Sequence, residues 1–324
     1  MNRTTKFRLP LFIIIGLLFV LTNSCVNTAL LPVVETKSIT AIGSGTATCW
    51  GNIPSDPGSA ISARGVCWST KPNPTTSNSK ATTIAGTGNF SVAMSGLTMG
   101  TKYYIRCYAT NKTGTAYGNQ LTFTTLLVDY DGNTYNTVTI GTQVWMAENL
   151  KVTKFRNGNT ITNNLDPTTW ANLTSPSYCS YDNSAANKTT YGNLYNWSAV
   201  NDIRDIAPTG WHVPTQAEWT TLINYLGGAS VAGDILKETG NTHWTGSYAS
   251  ATNTSGFTAL PGGSIVLQNS NYGFYNIGTT GQWWSSSEAD SNSAYSWSLS
   301  NNSAQAVNVN VAKQSGFSIR CVKD

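Results

Sequence analysis

The stretch "GWHVPTQAEWTTLINYLGG", residues 210–228, decides how the second half of the chain folds. Thr215 and Glu218 have the spacing of a capping box. The threonine hydroxyl accepts from a free amide of the first turn, and the glutamate reaches back to the Thr215 amide. Pro214 stands just before that cap. Trp219, Leu222, Ile223 and Leu226 follow at i, i+3, i+4 and i+7, one buried stripe of a helix. Gly227-Gly228 stops it. Each of these residues has a structural task, Glu218 included. His212 lies on the strand-like approach and lacks a nearby carboxylate or nucleophile in sequence. The stretch therefore reads as a well-punctuated helix rather than a catalytic centre.

The 324 residues around it suit two domains. Arg3, Lys6 and Arg8 precede an apolar run from Leu11 to Leu21, too short for a comfortable membrane span and right for a signal peptide over residues 1–24. "LTNSC" resembles a bacterial lipobox, although Thr22 and Asn23 depart from its commonest residues. That resemblance makes Cys25 the lipidated first residue and residues 25–37 a lipidated tether. Each buried CH₂ of the acyl chains would add about 0.8 kcal/mol to membrane attachment. The expected setting is the cell envelope, as an outer membrane lipoprotein facing the periplasm or the cell surface.

Three of the 19 basic residues lie in the leader, which leaves 16 against 15 acidic ones, a net charge of +1. That balance provides no basic patch for phosphates and disfavours nucleic acid as a partner. Charged residues make up only 10% of the chain, so its surface must be built from Ser, Thr, Asn and Gly. No CxxC or Cys/His cluster has metal spacing, so no metal site or cofactor is expected.

From residue 38 to 125, short alternating strands such as "GTATCWGNI", "ISARGVCWST" and "TKYYIRCYATN" are divided by turn residues, the pattern of a β-sandwich. "LTMGTKYYIRCYATNKTGTAYGNQLTFTT" resembles the last strands of fibronectin type III domains. On that register Tyr103, Ile105, Cys107 and Ala109 point inward and Tyr103 is the corner tyrosine. Cys107 and Cys49 then meet across the sandwich as in immunoglobulin domains, either as a disulfide or as a dry pair of thiols. Cys67 has no obvious mate.

The second domain, residues 128–324, opens with "DYDGN", which reads as a tight turn because the further ligands of a calcium loop are missing. "YGNLYNWSAVND" and "SVAGDILKETG" read as short helices. Residues 241–292 read as long aromatic loops, and alternating strands close the chain. Helices first and strands last point to an α+β domain. Cys179 and Cys321 are its only cysteines, and in an exported chain they are expected to be bridged.

"TIGTQVWMAENLK", "YGNLYNWSAV", "GWHVPTQAEWTTL", "GFTALPGG", "WWSSSE" and "GFSIRCVKD" occur in this order in the Fibrobacter succinogenes major paralogous domain, which this segment resembles. The resemblance implies a C-type-lectin-like fold, distantly similar to formylglycine-generating enzymes. The paired late cysteines of those enzymes are absent, as is a Gly-x-Ser-x-Gly elbow, and two histidines support little acid-base chemistry. No catalytic residue is assigned.

Eleven tryptophans and fifteen tyrosines exceed what two small cores need, and exposed rings suit sugars or peptides. Lectin-like folds present ligands between the second helix and the last strands. His243, Trp244, Asn269, Tyr272, Tyr275 and Asp290 are thus the candidate ligand-binding residues, with Trp244, Trp283 and Trp284 equally readable as core. The "E-P-N", "Q-P-D" and "W-N-D" signatures of calcium-dependent lectins do not occur. The expected function is a non-catalytic binding or adhesion module, for a glycan ahead of a cell-surface protein. The alternatives are a structural spacer or scaffold of the cell envelope and, behind it, an oxidoreductase resembling the formylglycine-generating enzymes. Replacing Cys25 by serine should move the protein out of the membrane fraction and change its mass. An unchanged fractionation and mass would contradict lipidation.

Overall fold

In the computed structural model, residues 30–246 and 250–324 are described. The signal peptide and Cys25 lie outside the described residues. No helix among the described residues is long and apolar enough to cross a membrane.

The first half is a β-sandwich of eight strands: β1 (Val33–Thr40), β2 (Ala47–Ser55), β3 (Ala63–Ser69), β4 (Ser79–Thr83), β5 (Gly88–Met94), β6 (Lys102–Asn111), β7 (Gly114–Tyr117) and β8 (Leu121–Thr124). One sheet runs β1-β2-β5; the other runs β4-β3-β6-β7, with β8 also on β6. Alternation along β6 turns Tyr103, Ile105, Cys107 and Ala109 inward, and all four are buried. The Tyr103 hydroxyl accepts from the Thr98 amide at 3.0 Å, which pins the corner before β6. Strand β1 begins inside the stretch expected to be tether. The chain is held from Leu30 onward, whose carbonyl accepts from the Asn111 amide group at 2.7 Å.

The Cys49 and Cys107 sulfurs meet across the sheets, but 3.6 Å apart, as free thiols. The disulfide expectation for this pair is corrected to the dry thiol pair. The hydrogen bond to Cys107, together with burial, pushes the Cys49 thiol up and keeps it protonated.

The second half starts with β9 (Leu127–Val128) and β10 (Thr134–Tyr135), which pair around a turn held by Asp129. Its carboxylate accepts from the Asp131 and Asn133 amides at 3.0 Å and from the Tyr135 hydroxyl at 2.6 Å. The "DYDGN" segment is thus a turn whose first aspartate is consumed locally. Next come β11 (Thr137–Ile140), β12 (Gln143–Met146), β13 (Thr162–Asn163), β14 (Ser177–Cys179), α1 (Ala185–Tyr191), β15 (Leu194–Tyr195), α2 (Trp197–Val200), β16 (Trp211–His212), α3 (Gln216–Tyr225) and α4 (Ala232–Leu236). The rest is strand: β17 (Gly262–Gln268), β18 (Asn271–Ile277), β19 (Thr280–Glu288), β20 (Ser293–Ser300), β21 (Ala306–Ala312) and β22 (Val322–Lys323). The sheets are β11-β12-β22-β16, β13-β14-β15, β19-β20-β21 and the hairpin β17-β18.

Helix α3 forms as its sequence dictates. Thr215 and Glu218 close the capping box through bonds of 3.2 and 2.8 Å, and the stripe Trp219, Leu222, Ile223, Leu226 is buried. Gly227 and Gly228 end it at φ 96 and 97°, a conformation that β-carbons disfavour. Trp283 and Trp284 are both core. Neighbours on a strand point to opposite faces, and β19 has a core on each: Trp283 packs with Trp219 and Phe257, Trp284 with Tyr195 and Phe317.

Three expectations are corrected. "YGNLYNWSAVND" is not one helix. The Tyr195 amide pairs with the Phe317 carbonyl at 2.9 Å, and the Asn196 side chain then caps the single turn α2. Residues 241–292 are not one long loop but carry β17, β18 and β19. Asn269 and Ser270, at φ 48 and 63°, make the two-residue hairpin turn that Asn-Gly usually signals. Cys179 and Cys321 are free rather than bridged. Cys179 packs with Trp170 and Ile265, whereas Cys321 packs in the main core with Phe317 and Ile319. Burial pushes the Cys179 thiol up to about 12.

The two halves touch at Met99-Gly100-Thr101. Gly100 has φ 57°, and a Cβ there would come within 2.8 Å of the Trp211 ring. The Lys323 amine donates to the Gly100 carbonyl and the Thr101 hydroxyl.

Candidate functional site

Several of the sequence blocks quoted above converge on one buried cation. Arg320 is fully buried, and its guanidinium lies 4.1 Å from the Phe257 ring centroid and 5.8 Å from that of Trp283. It donates to the Asn149 Oδ1 at 2.9 and 3.2 Å and to the Phe257 carbonyl. Asn149 Oδ1 also accepts from the Trp283 indole at 2.8 Å, while its Nδ2 donates to the Tyr191 carbonyl at 2.8 Å. Burial lowers the Arg320 pKa to about 9, against the opposing charge of Glu148, so the group stays charged at neutral pH. Enclosed on all sides, this hub holds segments together and does not face a ligand.

Both histidines are engaged by carboxylates. His212 Nε2 lies 2.8 Å from Glu218 and its Nδ1 2.6 Å from Asp324. Burial lowers its pKa, but hydrogen bonds and charge from Asp324 and Glu218 outweigh that and raise it. For Glu218, burial raises the pKa, but the Thr215 bonds and His212 outweigh it and lower it. Glu218 therefore serves both the helix cap and His212, a second role hidden by the first. The Asp324 partner is brought by strand pairing of β16 with β22, which spacing does not reveal. His243 lies 2.8 Å from Glu238, with the Tyr191 ring edge-on at 5.7 Å. Among the described residues, no three His, Cys, Asp or Glu side chains are placed to hold a metal ion.

The expected ligand residues do not form one cluster. Trp244 is buried, and its indole donates to the Ala259 carbonyl at 3.0 Å. His243 and Trp244 sit by the far end of the β17–β18 hairpin, where the Thr245 amide meets the Gly278 carbonyl at 2.7 Å. Asn269 is at the tip, separated from that end by seven-residue β18, roughly 23 Å at ~3.3 Å per residue. Tyr272 packs on the Trp170–Cys179 cluster. Tyr275 faces the other way and lies over Gly273, where a Cβ would come within 3.2 Å of its ring. Asp290 accepts from the Asn292 and Ser293 amides at 2.7 and 2.9 Å, and so shapes its own turn.

A model of the Fibrobacter succinogenes major domain matches residues 138–323. The chain belongs to that family. No curated protein matches it. Among solved structures, the chain is similar to a human fourth FNIII domain, at 20% identity over 33% of this chain and 86% of that one, TM-score 0.25. It is also similar to a fibronectin type III domain from human KIAA0970 protein, at 13% identity over 28% of this chain and 72% of that one, TM-score 0.22. A third is the sensor domain of the anti-sigma factor RsgI4 in Pseudobacteroides cellulosolvens, at 15% identity over 30% of this chain and 95% of that one, TM-score 0.22.

Within the Fibrobacter succinogenes major domain, His212 makes stability depend on pH. Its folded pKa is raised, so its contribution is complete below the ordinary value of 6.5 and is lost as pH rises through the raised value. The lowered Glu218 pKa adds stability that is lost only at acid pH. The melting temperature should therefore fall as pH rises above the ordinary value of 6.5, and His212→Asn should flatten that fall. An equal fall in both proteins would exclude the His212 contribution.

Proposed function

We propose that this chain is an exported, lipid-anchored binding or adhesion module of the cell envelope, without catalytic activity. Its Fibrobacter succinogenes major domain is taken as a C-type-lectin-like fold, distantly similar to formylglycine-generating enzymes, that presents a neutral surface to glycans ahead of proteins. The observation that carries the proposal is the outer face of the β17–β18 hairpin. There the Tyr275 ring rests over Gly273, and exposed Asn271 shares their face of the strand. A ring seated on glycine can stack on the C–H face of a sugar, while an amide takes its hydroxyls. Both ring nitrogens of His212 are taken by carboxylates, which supports a non-catalytic role for that residue. The alternative, a spacer, is favoured by the Lys323–Thr101 and Trp211–Gly100 contacts, which fix one half against the other.

The leaderless chain, residues 26–324, should bind neutral oligosaccharides on a glycan array. Tyr275→Ala should weaken that binding with little change in melting temperature, whereas Tyr272→Ala should melt early because its ring packs on the satellite core. A blank array would count against the glycan proposal. A Tyr275→Ala variant that binds as well as the parent would move the site off the hairpin.

A further inference from the structure

We infer a second saccharide platform at Tyr225, on the last turn of α3; the inference rests on the glycan proposal above. Nothing in the helix pattern marks Tyr225, because it lies off the buried stripe. It is 66% exposed, an unusual state for so large a ring. Its position is nonetheless fixed. Gly141, in the β11–β12 turn at φ 61°, lies directly under it, and a Cβ there would approach the ring to 2.9 Å. Glycine thus provides both the left-handed turn and the flat seat. One face of the ring rests on backbone and the ring stands as a ridge.

Clefts of about 340 and 200 Å³ adjoin that ridge. Thr142, Gln143 and Thr221 wall the larger one, and Thr139, Thr254 and Ser255 the smaller. Among the described residues, no side chain lining either cleft is charged. The polar groups are also held in place. The Thr221 hydroxyl donates to the Ala217 carbonyl at 2.9 Å, which leaves its lone pairs to accept. The Ser255 hydroxyl donates to the Ile235 carbonyl at 2.7 Å and accepts from the Phe257 amide at 3.1 Å, which leaves it one lone pair. Gln143 accepts from the Trp145 indole at 3.3 Å and donates to the Glu218 carbonyl at 3.1 Å, which leaves one amide hydrogen to donate.

An open aromatic face between walls of fixed, uncharged acceptors and one amide donor matches a neutral pyranose. The ring takes the C–H face and the walls take the hydroxyls. An anionic or cationic ligand would find no counter-charge here. Because the groups are already oriented, little ordering would be needed on binding.

Affinity electrophoresis of residues 26–324 in gels holding dextran, xylan or mixed-linkage β-glucan tests the platform. At least one polysaccharide should retard the parent. Tyr225→Ala should raise its dissociation constant about tenfold, and Tyr225→Phe should stay within about threefold of the parent, since the ring face does the work. Thr221→Arg, on an exposed helix position, should also weaken retardation at an unchanged melting temperature. If Tyr225→Ala and Thr221→Arg run like the parent while Tyr275→Ala does not, the platform is wrong and the glycan proposal stands. Equal losses in Tyr225→Phe and Tyr225→Ala would overturn the stacking. If no neutral polysaccharide retards the parent and the array is blank, the glycan proposal fails and the platform with it.

Discussion

A buried guanidinium with no carboxylate in contact among the described residues is the constraint on which the second domain depends. Taking Arg320 out of water costs several kcal/mol, and only well-placed partners offset that. They come from widely separated segments: Asn149, the Phe257 carbonyl, and the faces of Phe257 and Trp283. Asn149 in turn binds the Trp283 indole and the Tyr191 carbonyl. Each member needs the others in place, so the hub is satisfied only in one arrangement of the chain. A partly satisfied network of this kind would be worse than an apolar one.

The strand segment that carries Arg320 acts as a seam. Gly316 pairs with Ile265, Phe317 with Tyr195 and Ser318 with Trp283, while the Ile319 and Cys321 carbonyls accept from Leu150 and Met146. Four otherwise separate sheets and hairpins are thereby joined along a few residues. Two other cations combine backbone oxygen with a carboxylate. Lys237 donates to the Ser300 and Ser303 carbonyls and lies 3.4 Å from Asp234. Arg156 donates to the carbonyls of Ala207, Pro208 and Trp211 and lies 2.9 Å from Asp205. A rigid interior of this kind lets the surface carry tyrosines laid on glycines, at Tyr275 over Gly273 and Tyr225 over Gly141, without loss of order.

What the sequence disclosed was local. The α3 cap, stripe and glycine stop lie within twenty residues, and the inward set of β6 follows from a period of two. The hub was not legible as a contact, because Arg320 and Asn149 stand 171 positions apart and neither is unusual by itself. The β17–β18 hairpin was hidden because Asn269-Ser270 replaces the usual Asn-Gly, so strand tyrosines read as loop tyrosines. Counting cysteines suggested a bridge between Cys179 and Cys321, but pairing is set by geometry, and the two lie in different cores. The seating of the Tyr225 ring depends on a glycine in a distant turn, which helix periodicity does not register.

A double-mutant cycle on Arg320 and Asn149, followed by urea unfolding, tests the hub most directly. Arg320→Met and Asn149→Leu should each destabilise the second domain. The double variant should lose less than their sum by roughly 1–3 kcal/mol, because the second substitution removes a group already left without its partner. Additive losses would contradict the account, since they would mean that the two side chains are buried side by side without depending on each other.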